Sequence, residues 1–170
     1  MNPNHDRRRL LALLGALAMA ACQSAPPPAA PAPAAPTRAD KVQALQQLGF
    51  VATDDSWELN LGVKLLFDTD VDVLSKQGQE ALADVARSLT RVGIERVRVD
   101  GHTDDVGSAR YNDQLSLRRA ESVARQLARA GINDAAIERR GFGFTRPVAS
   151  NTTAEGRAQN RRVVVTVRVD

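Results

Sequence analysis

Between residues 100 and 123 the chain reads DGHTDDVGSARYNDQLSLRRAESV, an acid-bearing polar loop that follows a Val-rich strand and leads straight into a helix with adjacent arginines. Groups of these types can grip a ligand that carries both charges. Asp104 can accept hydrogen bonds from an ammonium, and the planar fork of Arg119 can hold a carboxylate through two parallel bonds. The start of the helix, around Ser108 to Tyr111, adds backbone N–H groups without intrahelical partners, which favour a nearby anion. Gly101 and Gly107 permit the close backbone approach and unusual dihedrals that such a loop uses. The same residues also admit a purely structural account, in which Asp104 and Arg119 pair with each other while Asn112 and Ser116 satisfy loop backbone. Arg118 lies on another face of the helix and is expected to be a solvated charge.

Other chemistries find less support. Asp68-Thr69-Asp70-Val71-Asp72 opens like a calcium loop, but Val73 stands where that loop needs Gly and Gln79 where it needs a bidentate Glu. His102-Thr103-Asp104-Asp105 offers a single imidazole, because the other His of the chain, His5, lies at the extreme amino terminus. One His supports neither a metal cluster nor a Ser/His/Asp triad, and packing or hydrogen bonding within the loop is the expected fate of His102. No metal, cofactor or catalytic step is expected.

The elements that must position this loop follow from hydrophobic period. Thr37 with Asp40 three residues on suits a helix start, and Val42, Leu45 and Leu48 then make a short apolar stripe, so a helix is expected over 38–48. Residues 50–52 and 57–61 read as two short strands around the turn Thr53-Asp54-Asp55-Ser56. Leu74 and Ser75 open a helix that buries Leu82, Val85 and Leu89, and Val97 and Val99 alternate with charges in a strand. A second long helix over 109–130 buries Leu115, Ala120, Val123 and Leu127, with Gly131 placed to end it. A strand over 136–142, a short helix over 154–159 and a final strand with Val163, Val165, Val167 and Val169 on one strongly apolar face complete the chain.

These residues carry a resemblance. The 100–123 stretch is similar to the signature of the OmpA-like peptidoglycan-binding domain, as is a second block, Asn160-Arg161-Arg162-Val163, and the similarity spans residues 57–170. It implies an α/β sandwich in which two main helices pack on a four-stranded mixed sheet. It also implies that an Asp and a helical Arg grip the ammonium and carboxylate of a diaminopimelate-type residue in the wall peptide. Ligand contact is thereby carried onto Asp104 and Arg119, and also onto Asn112, Asp68 and Thr69. Arg161 and Arg162 match the closing motif, or instead neutralise the Asp-rich loops. Non-covalent wall binding without catalysis follows, with a partner-capturing signalling protein as the rival class and a metal-dependent wall hydrolase as a further alternative.

The front of the chain carries a second resemblance through its helix, Gly49-Phe50, Trp57-Glu58 and the run KLLFDTD. It is similar to OmpA-like lipoproteins that sequester a YfiR-type periplasmic repressor and so release a membrane diguanylate cyclase. Segment 38–56 is then a candidate partner-binding piece, with Val42, Leu45, Leu48, Phe50 and Trp57 as its contacts. The plainer account packs the same stripe on its own domain. Homodimerisation is left open by the sequence.

The amino terminus implies where the loop works. Arg7, Arg8 and Arg9 precede an apolar run over 10–21 that is too short to cross a bilayer and suits an export leader over 1–21. Met19-Ala20-Ala21-Cys22 resembles a bacterial lipobox, with the Cys22 thiol as the lipid acceptor. Cys22 is the only cysteine, so no intramolecular disulfide can form, and lipid attachment explains a lone thiol in an oxidising compartment. Gln23 rather than Asp after it favours the outer membrane, with the chain facing the periplasm. Residues 22–37 then form an Ala/Pro-rich tether whose roughly 15 residues reach about 45 Å if extended. The whole chain has 23 Lys and Arg against 20 Asp and Glu, a net +3. Removing a leader that holds three Arg and one Asp leaves +1, which gives no electrostatic case for nucleic acid.

Overall fold

The computed structural model describes residues 35–67 and 72–169. The leader, Cys22, nearly all of the tether, and Asp68 and Thr69 lie outside the described residues.

Helix α1, Arg38–Gln47, begins as its sequence dictates: the Thr37 hydroxyl accepts from the Asp40 N–H while the Asp40 carboxylate accepts from the Thr37 N–H at 2.8 Å, a reciprocal capping box. A hairpin of β1 (Val51–Ala52) and β2 (Trp57–Gly62) follows, then the single turn α2 (Val63–Leu66). The long helix α3, Lys76–Arg91, is capped by Ser75, whose hydroxyl accepts from the Gly78 N–H. Then come β3 (Val97–Gly101), α4 (Ala109–Arg129), a 3-10 turn at Asp134–Ala136, β4 (Ile137–Gly141), α5 (Ala154–Asn160) and β5 (Arg162–Val167).

The sheet has five strands in the order β1-β2-β5-β3-β4, with β3 and β4 parallel and the other pairs antiparallel. This corrects the expected count of four. The extra strand arises because β2 pairs along its whole length with β5, so the hairpin that looked like an appendage brings β1 onto the edge of the same sheet. The final strand also differs from expectation. It sits at the centre of the sheet, and all six of its residues are buried, so Val164 and Thr166 are covered as well as Val163, Val165 and Val167.

Helix α4 packs on β3 and β4, and α3 lies against α4. Close approach of α4 to the sheet depends on glycine: a Cβ on Gly101 would collide with the Ser116 carbonyl oxygen, and one on Gly141 would lie 2.7 Å from the Leu117 nitrogen. The core runs continuously from the front segment through the sheet. Leu45 is 0 % exposed and Phe50 4 %, and both belong to the same cluster as Leu82, Val99, Val123 and Val165. Leu48 and Trp57 pack against it, half-buried, while Val42 is also half-buried. The described residues form one compact unit.

Candidate functional site

The carboxyl end of β3, the loop over 102–108 and the start of α4 form one hydrogen-bonded unit. Asp104 is buried, and its two oxygens are already directed: Oδ1 accepts from the Val106 N–H at 3.2 Å, and Oδ2 pairs with Arg161 Nη1 at 2.6 Å. Asn112, 2 % exposed, donates through Nδ2 to the Val106 carbonyl at 3.0 Å and so staples the loop to α4. Ser108 caps the helix by accepting from the Tyr111 N–H. Gly107, at φ +98°, supplies the left-handed turn between them.

Arg119 faces inward from the fourth turn of α4. It is 3 % exposed, and its guanidinium carbon stands 5.6 Å from the centre of the Phe67 ring. Phe67 directly precedes Asp68 and Thr69, and Asp72 on their far side is also bound to α4. There Arg118 pairs with the Asp72 carboxylate at 3.0 Å and the Ser122 hydroxyl donates to the Asp72 carbonyl at 2.6 Å. Arg118 is thus partly solvated, as its helical face implies, and is paired with Asp72.

A second seam joins the site to the loop after β4. The Ser116 hydroxyl accepts from the Gly143 N–H at 2.9 Å, the Thr103 N–H donates to the Gly143 carbonyl at 2.8 Å, and the His102 N–H donates to the Arg162 carbonyl at 2.9 Å. The His102 ring stacks on Phe142 with centroids 5.4 Å apart, and the Arg146 guanidinium lies 3.8 Å from the Phe142 centroid. None of Phe67, Phe142, Gly143 or Arg146 was singled out from sequence as part of the site. The one signal that could have found Phe67 is its position beside Asp68-Thr69.

The arrangement holds one carboxylate and one guanidinium in fixed places on a single loop and helix. Of the residues expected to touch a ligand, Asp104 and Asn112 share the Val106 backbone in the loop, and Arg119 lies buried on the helix that follows it. The cation paired with Asp104 is Arg161.

A profile of the OmpA family matches residues 66–161, which takes in Asp104, Asn112, Arg119 and Arg161. The chain belongs to the OmpA family. Among its relatives is the outer-membrane lipoprotein YfiB of Pseudomonas aeruginosa, 42 % identical over 165 residues that cover 96 % of this chain and 95 % of that protein. The solved cell wall anchor of the T6SS from Pseudomonas aeruginosa is 30 % identical, covers 81 % of this chain and 100 % of its own, and superposes with a TM-score of 0.64. The peptidoglycan-associated lipoprotein from Burkholderia pseudomallei is 31 % identical over 64 % of this chain and 89 % of its own, with a TM-score of 0.56.

Within this OmpA-family site, His102 gives a pH signature. Burial, then the charges of Arg162 and Arg146, lower its pKa from 6.5 to about 4. The unfolded chain therefore binds more protons than the folded one between those values, so His102 contributes stability that is complete above pH 6.5 and is lost as pH falls towards 4. The loss is on the order of 2 to 3 kcal/mol. Asp100 acts in the opposite sense, since burial raises its pKa against the pull of Arg98, Arg140 and Arg146. His102→Phe keeps the ring against Phe142 and removes the titration, while Asp100 remains in both proteins. Thermal melts between pH 4 and 7 are expected to show a smaller acid-side loss in His102→Phe than in wild type, and parallel profiles would refute this role for His102.

Proposed function

We propose that this chain is a lipid-anchored outer-membrane protein that faces the periplasm and binds peptidoglycan non-covalently, through a diamino acid of the stem peptide, without catalysing any reaction. The observation that carries this reading is the pairing of an oriented, buried carboxylate at Asp104 with a buried guanidinium at Arg119 on one loop and helix. A zwitterionic residue offers an ammonium to the first and a carboxylate to the second, so neither charge is left unmatched on leaving water. Asp104 can take an ammonium without losing Arg161, because two carboxylate oxygens offer about four acceptor sites. The described relatives are named as lipoproteins and as a wall anchor, and none of those names is that of an enzyme.

Sedimentation with purified diaminopimelate-type sacculi tests the reading. The mature protein should pellet with them, and free diaminopimelate should compete. A protein that stays in the supernatant at all sacculus concentrations would refute wall binding. Anchoring has its own test: Cys22→Ala should leave the protein unlipidated and release it from membranes. A correctly processed variant that still fractionates with wall-free outer membranes would overturn the lipid assignment.

A second reading is favoured by the extent of similarity to YfiB, which takes in the front segment as well as the wall-binding domain. In it, segment 38–56 captures a YfiR-like periplasmic repressor. Because Leu45 and Phe50 are core residues, capture in this conformation falls to the outward parts of the segment, such as Val51 at 65 % exposure. Co-purification from periplasm distinguishes it, since recovery of no specific partner leaves wall binding alone.

A further inference from the structure

We propose that Tyr111, together with exposed Val106 of the adjoining loop, forms a saccharide-stacking subsite that reads the amino-sugar ring to which the stem peptide is joined. This rests on the wall-binding reading and extends it from the peptide to the glycan. Tyr111 is the only tyrosine of the chain and is 51 % exposed. The other aromatic side chains are more enclosed: Phe50 and Phe67 are 4 % exposed, Trp57 packs on the core, Phe142 stacks with His102 and Arg146, and Phe144 is half-buried.

The turn that carries the ring is fixed. The Tyr111 backbone N–H is bound by the Ser108 hydroxyl in the first turn of α4, and the ring edge lies over Gly107, where an added Cβ would be 3.6 Å from Cδ1. Val106 is 63 % exposed, and it is the residue whose N–H binds Asp104 and whose carbonyl is bound by Asn112. The hydrogen bonds that orient the ammonium-binding carboxylate therefore also fix an apolar rim beside it.

Such a rim suits a sugar. The C–H face of a pyranose is apolar, packs flat on an aromatic ring and leaves its hydroxyls in water, and a tyrosine, with two side-chain torsions, loses little rotamer freedom on binding. The short peptide between the sugar and the diamino acid spans on the order of 10 Å when extended, so a ligand held at Asp104 and Arg119 carries its sugar within reach of the same loop.

Calorimetry on the mature protein separates the two parts of the ligand. The probes are a disaccharide-tripeptide muropeptide and the same tripeptide freed of its sugars by an amidase. Wild type should bind the muropeptide roughly five- to tenfold more tightly than the bare tripeptide, a range set by typical aromatic stacking. Tyr111→Leu should remove that preference and leave the tripeptide affinity within about twofold, while Tyr111→Phe should keep the preference. A wild type that binds both probes equally, or a Tyr111→Leu variant weakened equally for both, would overturn the subsite with wall binding intact. Failure of wild type to bind either probe would overturn the wall reading and the subsite together.

Discussion

Asp104→Ala and Arg119→Ala are each expected to abolish sedimentation of the protein with purified sacculi. Loss of one charged hydrogen-bonding partner of a desolvated ligand costs about 2 to 5 kcal/mol, which weakens binding by roughly 30-fold to several thousand-fold. The two sites differ in what else the truncation removes. Asp104 also accepts from Val106 and Arg161, so its loss loosens the loop itself. Asp104→Asn keeps an acceptor for the Val106 N–H but removes the charge and the oxygen that meets Arg161, and it should bind almost as poorly as the alanine variant. Arg119 is buried against Phe67, so Arg119→Ala opens a void as well as removing the fork. Arg119→Lys keeps a positive charge but cannot bind a carboxylate in parallel, and it should retain the fold while losing most of the affinity. Circular dichroism and melting of each variant show which losses belong to folding. Folded Asp104→Asn and Arg119→Lys proteins that pellet like wild type would remove the basis for placing the ligand here.

Much of this site was legible because its parts are local. The acid-bearing loop, the helix start near Ser108 and the loop glycine at Gly107 lie within one strand, loop and helix, and the family resemblance marked Asp104 and Arg119 within them. What escaped the sequence depends on chain separation. Arg161 reaches Asp104 from 57 residues away, and the motif that contains it left two roles open. Phe142, Gly143 and Arg146 meet His102 and Ser116 only because β4 lies parallel to β3. Arg118 pairs with Asp72 from 46 residues away, a partner that its helical face alone does not reveal. The sheet count failed for a related reason: a two-residue strand gives almost no periodic signal, and its membership is decided by the pairing of β2 with β5.

Leu45→Asp is expected to lower the melting temperature by about 10 °C while leaving sacculus binding intact. The Leu45 side chain is fully enclosed, and its replacement removes about 2 to 3 kcal/mol of apolar burial and puts a carboxylate into an apolar cluster. A charge in that position drives the segment outward, so the cost is capped by the free energy that docks α1 and Phe50 on the rest of the core. The proposed wall site stands apart from this loss: it hangs on β3 and α4, with Asp104 held by Arg161, and none of these bonds involves the front segment. A lower melt with unchanged pelleting therefore identifies Leu45 as a core residue of a domain whose ligand site survives partial undocking. If Leu45 instead faced a partner protein, the melt would not move and only recovery of that partner from periplasm would fall. Val51→Asp provides the contrast, because an exposed edge position should cost little stability. Loss of partner recovery there, with an unchanged melt and unchanged sacculus binding, is the pattern that capture by the outward face of the segment requires.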